Sequence, residues 1–226
     1  MTKPIAIIAG EPNSISSEII FKSWKLKNKF AHKPFFIIGN IKLLNLQLKK
    51  LKYKIKIKKI DNTFSIKELR GKELPVYNIE YYQKKAFEKI STKSRKYILK
   101  CFYEAIKLSN TKKIIGFINC PISKEHLFKN RYQGITEFLS KKAGKSGNEV
   151  MLIFNKNLAV SPVTTHISLD QVTKKLDQNK IVKQVKIINN FYKNIFNKKP
   201  NFAILGLNPH NYSSSNKSRE KKIINK

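Results

Sequence analysis

Residues 4–13 read PIAIIAGEPN, a run of apolar and β-branched side chains that ends in a turn of glycine, proline and asparagine. Such a run is typical of a short buried strand, and the turn marks its end. Residues 14–27 carry apolar side chains at near-helical spacing, which predicts a helix capped by Ser14 or Asn13. A strand, a tight turn and a helix in this order indicate an α/β fold.

The alternation of strand and helix continues along the chain. Further strands are predicted at short, mostly apolar segments: residues 34–38, 54–60, 114–118, 149–154, 158–163 and 202–205. The segment 54–60 differs from the others, because lysine alternates with isoleucine there, as is typical of an edge strand. Further helices are predicted at residues 43–51, 82–108 and 169–196, the last dividing near 177–179. Residues 61–77 are predicted to be irregular, with turns at Gly71 and Pro75. The pattern predicts a mostly parallel sheet that binds ligands at the carboxyl ends of its strands.

Length and cysteine content set the broad class of protein. A chain of 226 residues suggests one or two domains. Its apolar runs fall well short of the roughly 18 residues that a membrane span needs, and no targeting segment is visible. Cys101 and Cys120 make no disulfide framework, which suits a reducing compartment. We therefore expect a cytoplasmic protein with no membrane contact.

The charge of the chain first suggests a nucleic-acid partner. Lys and Arg total 47 against 14 Asp and Glu, a difference of +33. However, only four of the basic residues are arginine, the side chain that best matches phosphates and base edges. Abundant lysine, asparagine and isoleucine are also what AT-rich codons encode. The composition therefore favours a solvated lysine surface over specific binding of nucleic acid, which remains the lesser alternative.

Several loop residues have side chains that carry chemistry. His166 and His210 each follow a predicted strand, so they either share a metal site or are two loop histidines bonded to backbone. Lys124 stands at a predicted helix start, where it would hold a phosphate or simply face solvent. Cys120 has no histidine at a diagnostic spacing, which favours a buried structural thiol over a nucleophile.

Five segments, taken in order, resemble the motifs of one known family. They are Gly10-Glu11-Pro12 with Glu18, and then residues 119–124 (NCPISK), 134–138 (GITEF), 164–169 (TTHISL) and 206–210 (GLNPH). Together they resemble the 4-hydroxythreonine-4-phosphate dehydrogenases of the vitamin B6 pathway, across nearly the whole chain. Each segment alone is weak, and their order along the chain makes the match specific.

The resemblance implies a fold like that of the isocitrate and isopropylmalate dehydrogenases, with a cleft between two α/β domains. Residues 1–120 would form the first domain, with an incomplete sheet, and residues 121–226 the second, with metal-binding and dimer-interface elements. It implies a homodimer and a small phosphorylated amino acid as substrate. The implied reaction is oxidation of 4-phosphohydroxy-L-threonine by NAD or NADP, followed by decarboxylation.

The resemblance also implies the residues of the site. His166 and His210 would bind a divalent metal (zinc, magnesium or cobalt), together with a third histidine further along the chain. Thr136 and Lys124 would contact the substrate. It assigns no catalytic side chain in this chain, and the cofactor-binding residues are unknown because that region of the family lies beyond residue 226.

The sequence departs from the family pattern at several positions. Ile135 stands where the family has histidine, and Ser14, Ser16 and Ser17 replace two glycines and a proline of the first turn. Family members also continue past the position of Lys226. From these departures we expect a fragment or a degenerate copy, and the alternative function is a non-catalytic metal-binding or dimerising remnant.

Overall fold

The apolar run that opens the sequence forms β1 (Ile5–Ile8), near the middle of a parallel sheet. The structure, a computed structural model, describes residues 3–30, 33–129, 131–132, 134–155 and 157–207. The chain divides into two units, residues 1–132 and residues 133–226. The domain boundary expected after residue 120 stays a prediction.

The sheet of the first unit has five strands in the order β3-β4-β2-β1-β5. The other four strands are β2 (Phe35–Gly39), β3 (Ile57–Ile60), β4 (Leu74–Asn78) and β5 (Gly116–Asn119). All neighbouring pairs run parallel, with Ile5 opposite both Phe35 and Gly116. The predicted α/β class with a mostly parallel sheet is therefore confirmed, and the lysine-rich strand β3 lies at an edge, as its alternation indicated.

Helices connect the strands and cover the sheet. In the first unit they are α1 (Ser16–Lys25), α2 (Lys27–Phe30), α3 (Ile41–Lys50), α4 (Ile66–Leu69), α5 (Arg95–Asn110) and α6 (Lys124–Phe128). The largest side chains with no solvent exposure include Phe21, Phe36 and Phe102. Burying a phenylalanine of this kind stabilises a fold by about 1.5–3 kcal/mol, so this core accounts for much of the unit's stability.

Strand β4 was not predicted, because Pro75 in its sequence argued for a turn. A proline has no N–H for the ladder and is normally excluded from interior strands. Here the amide of Leu74 bonds to Lys56 on the β3 side, whereas pairing with β2 begins only at Val76. Pro75 therefore precedes the residues of β4 that pair with β2, so the N–H that it lacks is not required for that pairing.

The predicted helix at residues 82–108 is wrong in its first half, since α5 begins only at Arg95. The side chain of Asn13 explains the difference. Its Oδ1 accepts hydrogen bonds from Gln83 Nε2 at 2.9 Å and from the backbone N–H of Glu88 at 2.8 Å. Residues 83–88 are thus held as a loop by a partner about seventy positions away in sequence, which overrides their local helical spacing.

The predicted N-cap of α1 is also wrong. Asn13 is engaged with the 83–88 loop, and the cap position falls on Ile15, which has no capping side chain. Ser14 lies one residue too early, although its Oγ accepts a bond from the amide of Ser16 at 3.2 Å. The hydroxyl of Ser14 thus supports the helix start without occupying the cap.

The second unit contains α7 (Ile135–Lys142), the antiparallel pair β6 (Ile153–Phe154) and β7 (Ala159–Val160), α8 (Leu169–Lys175) and α9 (Gln178–Phe196). The predicted division near residues 177–179 is confirmed, with Asp177 capping α9. The strands are shorter than predicted. Residues 202–205 are not a strand, because no strand in the described part of the chain pairs with them. Across the described ranges, no helix is both long and apolar enough to cross a membrane.

Gly10 fixes how the loops after β1 and β5 meet. Its φ is +73°, and a Cβ at this position would lie 2.5 Å from the carbonyl oxygen of Pro121. The same carbonyl accepts the amide of Glu11 at 2.8 Å, and the amide of Cys120 bonds to Ile8 at 3.0 Å. Glycine is required here for both its left-handed backbone and its missing side chain.

We predict that Gly10→Ala lowers the free energy of unfolding by about 2–4 kcal/mol, because it adds left-handed strain to a backbone clash. Urea unfolding followed by circular dichroism measures the change. Gly116→Ala is the matched control, since its Cβ meets nothing within 4 Å. This control should be neutral or up to about 1 kcal/mol more stable. Equal stability of the two variants would contradict the role given to Gly10.

Candidate active site

The turn at residues 10–13, which ends the first predicted strand, is closed by its own side chains. Glu11 is buried, and its carboxylate accepts Ser94 Oγ at 2.9 Å and the amide of Asn13 at 3.3 Å. The cavity behind the turn has a volume of about 10 Å³. That is room for about one water molecule, so the inner side of this turn has a structural role.

Lys124 is the first residue of α6, and its side chain is exposed. Beside it, Ser123 Oγ lies 2.7 Å from Nδ1 of His126, so that histidine is bonded within its own helix turn. Lys124 belongs to the first unit. Its substrate contact stays a prediction.

The two cysteines are buried. Burial raises the pKa of Cys120 to about 11 and raises that of Cys101 further. A thiol of this kind is almost entirely protonated near neutral pH and is a poor nucleophile. The prediction of a buried structural thiol at residue 120 is confirmed.

Two of the motif segments meet in the second unit, at Gly134. A Cβ on Gly134 would lie 2.9 Å from Glu137 Oε2 and 3.9 Å from His166 Nε2. Gly134 is itself buried and caps the start of α7. Its missing side chain leaves space that a carboxylate oxygen and an imidazole nitrogen both border.

His166 is held in an unusual backbone conformation. Its φ is +55°, a left-handed value that is uncommon outside glycine, although histidine adopts it more often than most residues. Left-handed residues occur often at functional sites, where the surroundings impose the conformation. The side chain of His166 is exposed, so its ring is accessible to a ligand.

The loop before His166 is tied to α9 by Gln184. The Nε2 of Gln184 donates to Ser161 Oγ at 2.6 Å and to the carbonyl of Pro162 at 3.0 Å. Ser161 Oγ in turn donates to the carbonyl of Met151 at 2.7 Å. Three segments of the second unit are thus linked by one amide side chain, which sets the path of the chain toward His166.

A cavity of about 150 Å³ lies among these elements. Its polar lining comes from both motif segments, from the loop before β6 and from α9: Thr136, Glu137, Glu149, Thr165, Lys180 and Gln184. Burial acts to raise the pKa of Glu149, but the hydrogen bonds from Ser140 and from nearby backbone amides outweigh it and lower that pKa. The cavity therefore presents an ionised carboxylate, hydroxyls and one ammonium group, which suits a small polar molecule.

The structure places the predicted site residues unevenly. Thr136 and His166 come from segments that meet in the second unit, Lys124 is in the first unit, and His210 lies outside the described residues. Within the described ranges, no three His, Cys, Asp or Glu side chains form a metal-binding group. Their functional roles stay predictions.

Glu137 and Lys180 were missed as site residues. Glu137 had a usable signal, because it is one of only 14 acidic residues and sits inside a recognised motif. Lys180 had no such signal, because a single lysine cannot be distinguished by sequence alone in a chain so rich in lysine.

Comparison with known proteins points to one family. Residues 31–226 match the family model described as "Pyridoxal phosphate biosynthetic protein PdxA". A 4-hydroxythreonine-4-phosphate dehydrogenase from Sulfurihydrogenibium sp. is 31% identical over 225 residues, covering 97% of this chain and 67% of its own length. One from Aquifex aeolicus is 32% identical over 213 residues, covering 93% of this chain and 64% of its own length.

A solved structure from Salmonella typhimurium, provisionally named a 4-hydroxythreonine-4-phosphate dehydrogenase, has the same fold. It matches with a TM-score of 0.86 at 26% identity, over all of this chain and 70% of its own. The chain thus spans about two thirds of the length of the proteins that it resembles.

We predict that neither cysteine reacts readily in the native protein. A pKa of about 11 lowers the thiolate fraction of Cys120 at pH 8 by roughly 100-fold relative to an ordinary thiol. Alkylation with iodoacetamide at pH 8, followed by intact mass, should show little labelling until guanidinium is added. Rapid stoichiometric labelling of the folded chain would contradict the buried-thiol assignment.

Proposed function

Because the chain belongs to the family of the pyridoxal phosphate biosynthetic protein PdxA, we propose that it takes part in vitamin B6 biosynthesis as a dehydrogenase. The proposed reaction is the NAD- or NADP-dependent oxidation of 4-phosphohydroxy-L-threonine, followed by decarboxylation. The observation that carries this proposal is the meeting of the 134–138 and 164–169 segments at Gly134. That arrangement brings a threonine, a carboxylate and an imidazole to one part of the second unit.

The donors present fit a divalent metal. His166 Nε2 and Glu137 Oε2 both lie near Gly134, and that oxygen is buried and accepts no hydrogen bond from any described residue. Imidazole nitrogen and carboxylate oxygen are ligands of zinc and of other divalent ions, including cobalt and magnesium. We propose that His166 and His210 hold the metal, which when bound would lower the pKa of a substrate hydroxyl.

The side chains of this chain would bind and orient the substrate. Thr136 lines the cavity, where its hydroxyl would donate a hydrogen bond to a phosphate or carboxylate oxygen. Lys180, which lines the same cavity, would oppose the negative charge of a phosphorylated substrate. The substrate contact of Lys124, in the first unit, is proposed from the family resemblance alone. A nicotinamide cofactor, when bound, would supply the hydride acceptor for this oxidation, and a product with a keto group β to its carboxylate would lose carbon dioxide easily.

We also propose that the chain forms a homodimer through its second unit. Four aromatic side chains on β6 and α9 pack together, with Phe154 stacked on Phe196 at 5.5 Å and with Phe191 and Tyr192 beside them. Phe154 remains 51% exposed and Phe196 39% exposed. An exposed aromatic cluster of this kind is typical of an interface core.

The second candidate function is a metal-binding protein without dehydrogenase activity. It is favoured by Ile135, the first residue of α7, which is half-buried where the family has histidine. Isoleucine neither donates a hydrogen bond nor moves a proton. A chain with this substitution would keep the metal site and lose a substrate contact.

We predict that Ile135→His raises kcat/KM for 4-phosphohydroxy-L-threonine by about tenfold or more, because it adds a donor worth about 1.5 kcal/mol beside Thr136. His166→Ala should lower kcat/KM by about 100-fold or more, since it removes a metal ligand. Formation of reduced nicotinamide with added zinc or magnesium measures both effects. His126→Ala is the matched control, because that ring is bonded to Ser123 within α6.

Three outcomes separate the candidates. Turnover that depends on His166 but not on His126 supports the dehydrogenase. Zinc binding that requires His166, without turnover in the wild type or in Ile135→His, supports the second candidate. Turnover unaffected by His166→Ala would contradict the proposed site.

We predict that Phe154→Ser shifts the chain from dimer to monomer, because it removes a stacked ring from the exposed cluster. Sedimentation velocity across a range of concentrations measures the change. Phe202→Ser is the control, because this phenylalanine is similarly exposed and is not one of the four aromatic residues of the cluster. A monomeric wild type would contradict the proposed dimer.

A further inference from the structure

One carboxylate oxygen of Glu137, Oε2, is buried without a hydrogen-bond partner among the described residues. This atom has almost no exposed surface. A buried carboxylate oxygen in this state is costly, and each such atom in a folded protein calls for an explanation such as an ion. The unmet atom is therefore a structural reason to look for a cation beside it.

Helix capping does not explain this carboxylate. Glu137 is the third residue of α7, the position from which a glutamate can bond back to the cap residue. Glu68 does so in α4, where its Oε2 accepts the amide of Ser65 at 2.9 Å. In α7 no cap bond from a side chain forms, and Oε2 of Glu137 has no such donor.

A second carboxylate in the same cavity shows the contrast. Glu149 also lines that cavity, but Ser140 Oγ donates to its Oε2 at 2.6 Å. Glu149 is therefore satisfied by the protein itself, whereas Oε2 of Glu137 faces the space beside Gly134. Nε2 of His166 borders the same space, 3.9 Å from where a Cβ on Gly134 would lie.

We propose that Glu137 is a ligand of the divalent cation that His166 binds, with Oε2 and Nε2 as neighbouring donors. This inference rests on the proposed function and deepens it, because it adds a carboxylate to a site expected to contain histidines. A positive ion between the two groups would give the buried oxygen its missing partner. A mixed nitrogen and oxygen set suits zinc or cobalt.

The first test is cation affinity, measured by calorimetry with Zn²⁺ alone and by visible absorption with Co²⁺ alone. Glu137→Gln keeps the shape of the side chain and removes its charge. We expect this variant to bind either ion about 10–100-fold more weakly and to change the Co²⁺ spectrum. Glu149→Gln, the matched control from the same cavity, should bind within about twofold of the wild type, because Glu149 already has a partner.

The second test is thermal stability with and without Zn²⁺. Without the ion, Glu137→Gln should melt about 2–4 °C higher than the wild type, because a neutral amide is easier to bury than an unpaired carboxylate. With saturating Zn²⁺ the wild type should have the higher melting temperature, because it binds the ion more tightly than Glu137→Gln. A merely structural carboxylate would give the same order under both conditions.

The outcomes distinguish this inference from the proposed function. If Glu137→Gln and Glu137→Asp both bind Zn²⁺ as tightly as the wild type, Glu137 is not a ligand, although the metal site at His166 stands. If His166→Ala binds Zn²⁺ as tightly as the wild type, the metal site itself is wrong. Circular dichroism of each variant establishes that it is folded, and the Glu137→Asp variant keeps the test valid if Glu137→Gln fails to fold.

Discussion

The close approach of Gly10 to the loop after β5 is the constraint on which the first unit depends. With no Cβ in the way, the carbonyl of Pro121 accepts the amide of Glu11 at 2.8 Å. Glu11 is then buried where its carboxylate can hold Ser94, just before α5 begins. One short contact between two loops therefore positions the start of a helix far along the chain.

The same loop explains why the first unit was only partly predictable from sequence. β1, β2 and β5 were found because each is a short apolar run, and such runs identify buried strands. The start of α5 was missed because Asn13 forms hydrogen bonds with residues 83–88. Contacts between residues so distant in sequence leave no periodic trace in either segment.

The candidate site was predictable only through resemblance. The spacing of Thr136 and His166 in the sequence does not predict that their segments lie close together. In the structure the two segments meet at Gly134. Glu137 was passed over because a glutamate at the third position of a helix has an ordinary explanation in capping. Only the coordinates show that its Oε2 lacks the bond that such capping would supply.

The second unit has little core with which to offset the unpartnered Oε2 of Glu137 and the left-handed backbone of His166. Among its described apolar residues, only Phe138, Ile181 and Ile188 are buried, and α8 buries none. A buried polar atom without a partner and a left-handed backbone each act against the small stability of such a unit. A ligand that binds only the folded state offsets such costs in proportion to its affinity and concentration. Cation binding at Glu137 and His166 would therefore stabilise the folded second unit. Burial of the aromatic cluster in a dimer would stabilise the same folded state, so that folding of this unit, cation binding and dimer formation would favour one another.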